Sequence, residues 1–79
     1  MKDETLRNHQ KLIRIISEEV GGQQKLAKLM GVTQPAVSLW SKNLVPLNRV
    51  VKLCKALKNS GSKHIIYPHD FYPDFFEGS

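Results

Sequence analysis

Three side chains of this 79-residue sequence invite a metal: Cys54, His64 and His69. One thiol and two separated imidazoles do not reproduce the ligand spacing of a structural zinc site, and Cys54 falls in the apolar register of a helix, so no metal is expected. No nucleophile stands at usable spacing from a base, no carboxylates are paired, and no phosphate-cradling loop carries a Lys. Neither catalysis nor a cofactor or small-molecule substrate is therefore expected. The polar side chains are better suited to holding a polyanion. Residues 20–69 form a run of fifty without Asp or Glu, and carry Lys25, Lys28, Lys42, Arg49, Lys52, Lys55, Lys58 and Lys63, a charge of +8 inside a chain of net +5. Because this block also has regular apolar periodicity, it reads as a folded basic surface rather than a tail. The last sixteen residues, with Asp70, Asp74 and Glu77, are negative.

These groups need a scaffold, and the length allows one domain. A chain this short buries only about 60% of its unfolded surface, which leaves little room for a deep pocket. The hydrophobic content of 41% and charged content of 24% are those of a globular chain. One cysteine excludes an internal disulfide and suits a reducing cytoplasm, and no apolar run is long enough to span a bilayer, so no membrane contact is expected.

Helical spacing of Leu6, Leu12, Ile13, Ile16 and Val20 predicts a first helix over about residues 3–20, capped by Asp3 and stopped by Gly21-Gly22. A short second helix over 23–30 places Leu26, Leu29 and Met30 on one side beside Ala27, with Lys25 and Lys28 turned away. Gly31 suits the left-handed residue of a helix C-terminus. Thr33 is expected to accept a backbone N–H as the next N-cap, with Gln34 and Pro35 in the first turn of a third helix running to about residue 42. Val37 and Trp40 form its inward pair. Pro46 opens a fourth helix to about residue 58, with Leu47, Val50, Val51, Cys54 and Leu57 as its apolar face; Arg49, Lys52, Lys55 and Lys58 lie on its solvent side. After the loop Asn59-Ser60-Gly61-Ser62, the segment I-I-Y-P-H-D-F-Y-P-D-F-F favours a short strand or extended arm, folded onto the helices or onto a second copy.

Two helices joined by a tight Gly-containing turn make a helix-turn-helix. Ala27 is small enough for close crossing, Gly31 makes the corner, and Val37 and Trp40 fill the angle. The outer edge of helix three, with Gln34, Pro35, Ser38, Leu39 and Lys42, is left free and has a width that fits the major groove of DNA.

The pattern Gln23, Leu26-Ala27, Gly31-Val32, Gln34, Ala36-Val37-Ser38 and Trp40 resembles the lambda-repressor-like helix-turn-helix family. The run G-G-Q-Q-K-L-A-K-L-M-G-V-T-Q-P-A-V-S-L-W is similar to small phage and prophage regulators of the Cro and YdaS type, and H-D-F-Y-P-D-F-F echoes the ending of YdaS-like proteins. That resemblance implies phosphate contacts from Gln23, Gln24, Lys25, Lys28, Thr33, Ser41, Lys42, Asn43 and Arg49. It implies base contacts from Gln34, Pro35, Ser38 and Leu39. Gln34 is the foremost reader, because an amide can pair with N6–H and N7 of adenine. Pro35 departs from relatives in which the second residue of the recognition helix is often polar; it offers only an apolar contact, which shifts weight to phosphates and DNA shape.

The expected architecture is therefore all-α, with four to five short helices and a C-terminal extended arm or short strand. Residues 1–60 make the helix-turn-helix domain and 61–79 an aromatic, acidic arm. The expected partners are a double-stranded DNA operator and a second copy in a homodimer, in the bacterial cytoplasm or nucleoid. The alternative is a YdaS-like antitoxin or interaction module that binds a protein through Phe71, Tyr72, Phe75 and Phe76. RNA suits the motif less well, since the major groove of A-form RNA is too narrow for a helix.

Overall fold

The computed structural model describes residues 2–74, the side chains of residues 2 and 3 excepted. Five helices follow one another: α1 (Lys2–Val20), α2 (Gln23–Met30), α3 (Gln34–Trp40), α4 (Leu47–Asn59) and α5 (Pro68–Phe71). No strand occurs among the described residues. Helix α1 begins before Asp3, which lies inside the helix instead of capping it. Its buried stripe is His9, Ile13, Ile16 and Val20, at steps of three or four residues, with Ser17 beside it.

The turn after α2 closes as a Schellman motif. Gly31, at φ 70° and ψ 31°, donates to Lys28 C=O at 3.2 Å, while the Val32 N–H reaches Ala27 C=O at 3.0 Å. A side chain at this φ is strained, so glycine is the natural residue at the corner. Thr33 holds the N-cap position of α3 in extended geometry, but its hydroxyl makes no cap bond. Its carbonyl instead accepts from Ala36 and Val37. Pro35 lies in the first turn, where its missing N–H has no helical partner to lose. Helix α3 stops at Trp40, two residues short of the expected end, although the N–H groups of Ser41, Lys42 and Asn43 still bond back to it.

The core gathers Ile13, Ile16, Leu26, Met30, Val37, Val45, Val50, Leu53 and Leu57 with Trp40, Cys54, Ile66 and Phe71. Three expected core residues point elsewhere: Leu29 is 50% exposed, Leu47 39% and Val51 41%. Leu53 and Ala56 take their share of the α4 face. The rotation of each helix is chosen by its neighbours, and in so short a helix Leu26 with Met30 already covers the contact with α1 and α4.

The C-terminal segment is an extended run followed by a helical turn. Pro68 forbids a helix through the segment yet opens α5, and the Asp70 carboxylate accepts the Tyr67 N–H at 2.8 Å. Ile66 and Phe71 are buried in the common core, so the segment folds back on its own helices. Of the aromatics proposed to face a partner, Phe71 is 1% exposed and has no surface to offer. Tyr72 is half-buried with its ring edge-on to His9, while Phe75 and Phe76 lie outside the described residues.

One buried ring ties these parts together. The Val45 N–H donates to His9 Nδ1 at 3.0 Å, so the ring proton is on Nε2, which donates to Phe71 C=O at 2.8 Å. The Tyr72 hydroxyl donates to Val45 C=O, and Asn8 Nδ2 donates to Asp70 C=O at 2.8 Å. Both backbone polar groups of the buried Val45, between α3 and α4, are thus satisfied by side chains from α1 and the C-terminal segment.

A candidate nucleic-acid interface on α2 and α3

Helix α3 packs extensively on α2 alone, so one side of it is held and the other stands clear. Val37 and Trp40, 0% and 5% exposed, are the held side. Gln34, Pro35 and Leu39 are exposed and Ser38 is half-buried, so all four expected base readers lie on or at the border of the free edge. Leu39 is 58% exposed, an apolar side chain of that size left open on a seven-residue helix. Its place beside Ser38 and Gln34 gives one edge an amide, a hydroxyl and a methyl-bearing surface.

The expected phosphate ligands divide into two groups. Gln24, Lys25, Lys28, Thr33 and Lys42 are exposed and Gln23 and Arg49 are half-buried. No ion pair engages Lys25, Lys28, Lys42 or Arg49 among the described residues. Ser41 and Asn43 have local duties: the Ser41 hydroxyl donates to Ser38 C=O at 2.6 Å, and Asn43 Nδ2 to Leu39 C=O at 3.3 Å. These bonds cap the C-terminal carbonyls of α3. Ser41 has one proton, so donating it to a phosphate means giving up that cap; Asn43 keeps a second N–H.

The structure adds residues that the spacing of apolar side chains did not single out. Arg7, Lys11 and Arg14 line a groove of about 630 Å³ between α1 and the first turn of α2, where Gln23 also sits. Their steps of four and three residues would have marked one face of α1. Gln10, on the same face, donates through Nε2 to Lys42 C=O at 3.0 Å and so fastens α1 to the end of α3.

Of the groups that first suggested metal chemistry, the two imidazoles stand beside carboxylates and the thiol is buried in α4. His64 stands 3.7 Å from Glu19, and His69 stands 3.9 Å from Asp70 while stacking on Tyr67. Burial, with the Asp70 carboxylate as a smaller cause, pushes the Cys54 thiol up to about 11 from 9.0, so at neutral pH it is a protonated core group. Because the folded value is the higher one, this contribution to stability is intact below pH 9 and is lost as pH rises through 11. Denaturation of the native chain against Cys54→Ala is expected to show the difference in stability shrinking by about 1–2 kcal/mol over that window. A constant difference would mean that the thiol titrates alike in both states.

No described helix is long and apolar enough to cross a membrane. Among curated proteins and among solved structures none matches the chain. One family does: the family described as bacterial toxin YdaS matches residues 12–75, a span holding α2, α3, α4 and α5 whole, and the chain belongs to that family.

Proposed function

We propose that this protein is a non-catalytic, sequence-specific double-stranded DNA-binding regulator. In this reading it is a Cro-like phage or prophage repressor that works as a homodimer. The observation that carries this is the division of α3 into a buried side, Val37 and Trp40, and a free edge bearing Gln34, Pro35, Ser38 and Leu39. A helix held from behind by its partner helix and bare in front has the form that enters a major groove. The acid-free basic block supplies charge of the right sign on the surrounding elements. In a symmetric dimer the two α3 helices would reach half-sites about 34 Å apart, and occupancy would exclude polymerase sterically.

A mobility-shift titration against DNA selected from a random pool, repeated at several salt concentrations, tests this. A two-fold symmetric selected site is the expected result; no binding at low salt would sink the proposal. Gln34→Ala is expected to cost about 1–3 kcal/mol on the selected site and little on random DNA. Lys28→Ala should weaken binding on every sequence and make the salt slope shallower by about one unit. An equal loss on both DNAs for Gln34→Ala would remove it as a base reader, and an unchanged slope for Lys28→Ala would remove it as a phosphate ligand.

A second reading, an interaction module within a toxin and antitoxin pair, draws support from a groove that neither α2 nor α3 lines. Helix α4 and the extended run enclose this groove of about 460 Å³, whose lip includes Val51, Ile65 and Tyr67, with Ile65 71% exposed. The family's description as a toxin is compatible with such a role. Ile65→Lys separates the two: loss of the homodimer with DNA affinity assigns the groove to a second copy. An intact DNA-binding dimer that no longer captures a protein favours the module.

A further inference from the structure

The extended run between α4 and α5 has the form of a strand but no partner. His64, Ile65 and Ile66 lie outside any helix or turn, and Tyr67 has φ −103° and ψ 155°. Ile65-Ile66-Tyr67 favours such a backbone by residue type, and its side chains alternate as in a strand, with Ile66 buried between the exposed Ile65 and Tyr67. Among the described residues no hydrogen bond engages the backbone N–H or C=O of Lys63, Ile65 or Ile66, and the His64 N–H reaches only the Ser62 hydroxyl, at 3.0 Å. The run is nevertheless held at both ends. Glu19 of α1 accepts the Ser62 hydroxyl at 2.6 Å and stands 3.7 Å from His64, while the Asp70 carboxylate accepts the Tyr67 N–H. A pairing strand therefore meets an edge that is already ordered. Beside this edge is the groove shared with α4, where Lys55 and Lys58 stand with the apolar Val51, Ile65 and Tyr67. Neither lysine makes an ion pair among the described residues.

We propose that the groove receives an extended segment of a partner protein, which pairs its backbone with residues 63–66 and brings acidic side chains to Lys55 and Lys58. This names the ligand chemistry of the second reading above, the interaction module, and rests on it. Two paired strands alone are marginal in water, but here α4 backs them with an apolar wall. Main-chain bonds supply affinity and alternate side chains supply specificity, as when a peptide adds to a sheet edge. Charge selects the partner. A second copy docking by the same face would bring its own Lys55, Lys58 and Lys63 against these cations, and like charges across paired strands are destabilising. An acidic segment has the opposite sign.

Peptides selected from a random displayed library on the full chain are the probe. They are expected to alternate apolar residues and to carry Asp or Glu. One of them, resynthesised with N-methyl groups at alternate residues, should bind the native chain roughly tenfold more weakly, because its ladder donors are gone. Lys55→Gln/Lys58→Gln should weaken the unmodified peptide and flatten its salt dependence. Ile65→Pro removes an edge N–H at an exposed position and should also weaken it, with duplex DNA binding unchanged. Should Ile65→Pro melt early, the N-methylated peptide on the native chain still decides.

If binding survives N-methylation but is lost in Ile65→Lys, the groove takes its partner by side chains alone, and backbone pairing falls while the interaction-module reading stands. Selected peptides without acids overturn the charge assignment in the same way. If Ile65→Lys turns a native dimer into a monomer, a second copy occupies the groove and both fall. They also fall if no selected peptide responds to substitution in the groove.

Discussion

Replacing His9 with alanine is expected to cost about 4 kcal/mol of folding free energy, the largest loss for any single polar residue here. The ring is 0% exposed, and its removal deletes two hydrogen bonds and leaves a cavity under Phe71 and Tyr72. The Val45 N–H and Phe71 C=O would be stranded, each costing about 1–3 kcal/mol if water does not reach them, with the cavity adding to that. A chain of this length has in total only about 4–12 kcal/mol of stability, so the variant should keep only about 0–8 kcal/mol of it.

His9→Phe dissects the effect. It keeps a ring of similar shape but no nitrogen, and should still lose about 2–4 kcal/mol from the two stranded groups. Urea denaturation of the three chains gives the numbers. If His9→Phe were as stable as the native chain, the bonds would contribute nothing net and the ring would act by packing alone.

Trp40→Ala is the second large effect, about 3–5 kcal/mol for removing a buried aromatic. A loss of 3 kcal/mol at this size lowers Tm by roughly 12–24 °C. Trp40 is 5% exposed and ends α3, whose packing is almost wholly against α2, so the same change should also loosen the candidate reading helix. Binding to selected DNA should then fall at temperatures where the chain is still folded, a loss that Trp40→Phe should largely recover. Full DNA affinity in a folded Trp40→Ala variant would show that α3 is positioned by α2 without it.

Trp40 was legible in the sequence and His9 was not, and the contrast has a physical cause. Trp40 belongs to a local pattern, Ala27, Gly31, Val37 and Trp40, in which residues near in sequence meet across one turn. His9 meets Val45 and Phe71, which lie 36 and 62 residues away, and no spacing rule along one helix announces such partners. An isolated imidazole in an apolar stripe reads as surface until a backbone N–H and C=O are brought to its two nitrogens.

The same division runs through the helices. Periodicity located α1, α2, α3 and α4 because a helix repeats every 3.6 residues whatever it packs against. It could not choose between Leu29 and its neighbours, or between Val51 and Leu53, since each pair lies at the edge of a broad apolar arc. Which of the two is buried depends on how far the neighbouring helix rotates the arc, a tertiary quantity.

By itself the sequence determined the helix-turn-helix, its Gly31 corner, the inward pair Val37 and Trp40, and the outward edge beginning at Gln34, because each follows from contacts within a few turns of chain. Only the tertiary structure decided that Ile66 and Phe71 complete the core and that Ser41 is occupied as a cap. It also decided that Arg7, Lys11, Arg14 and Ser17 of α1 converge on the start of α2. Those arrangements depend on segments distant along the chain finding hydrogen-bond and packing partners, and such pairings become defined only when the core closes.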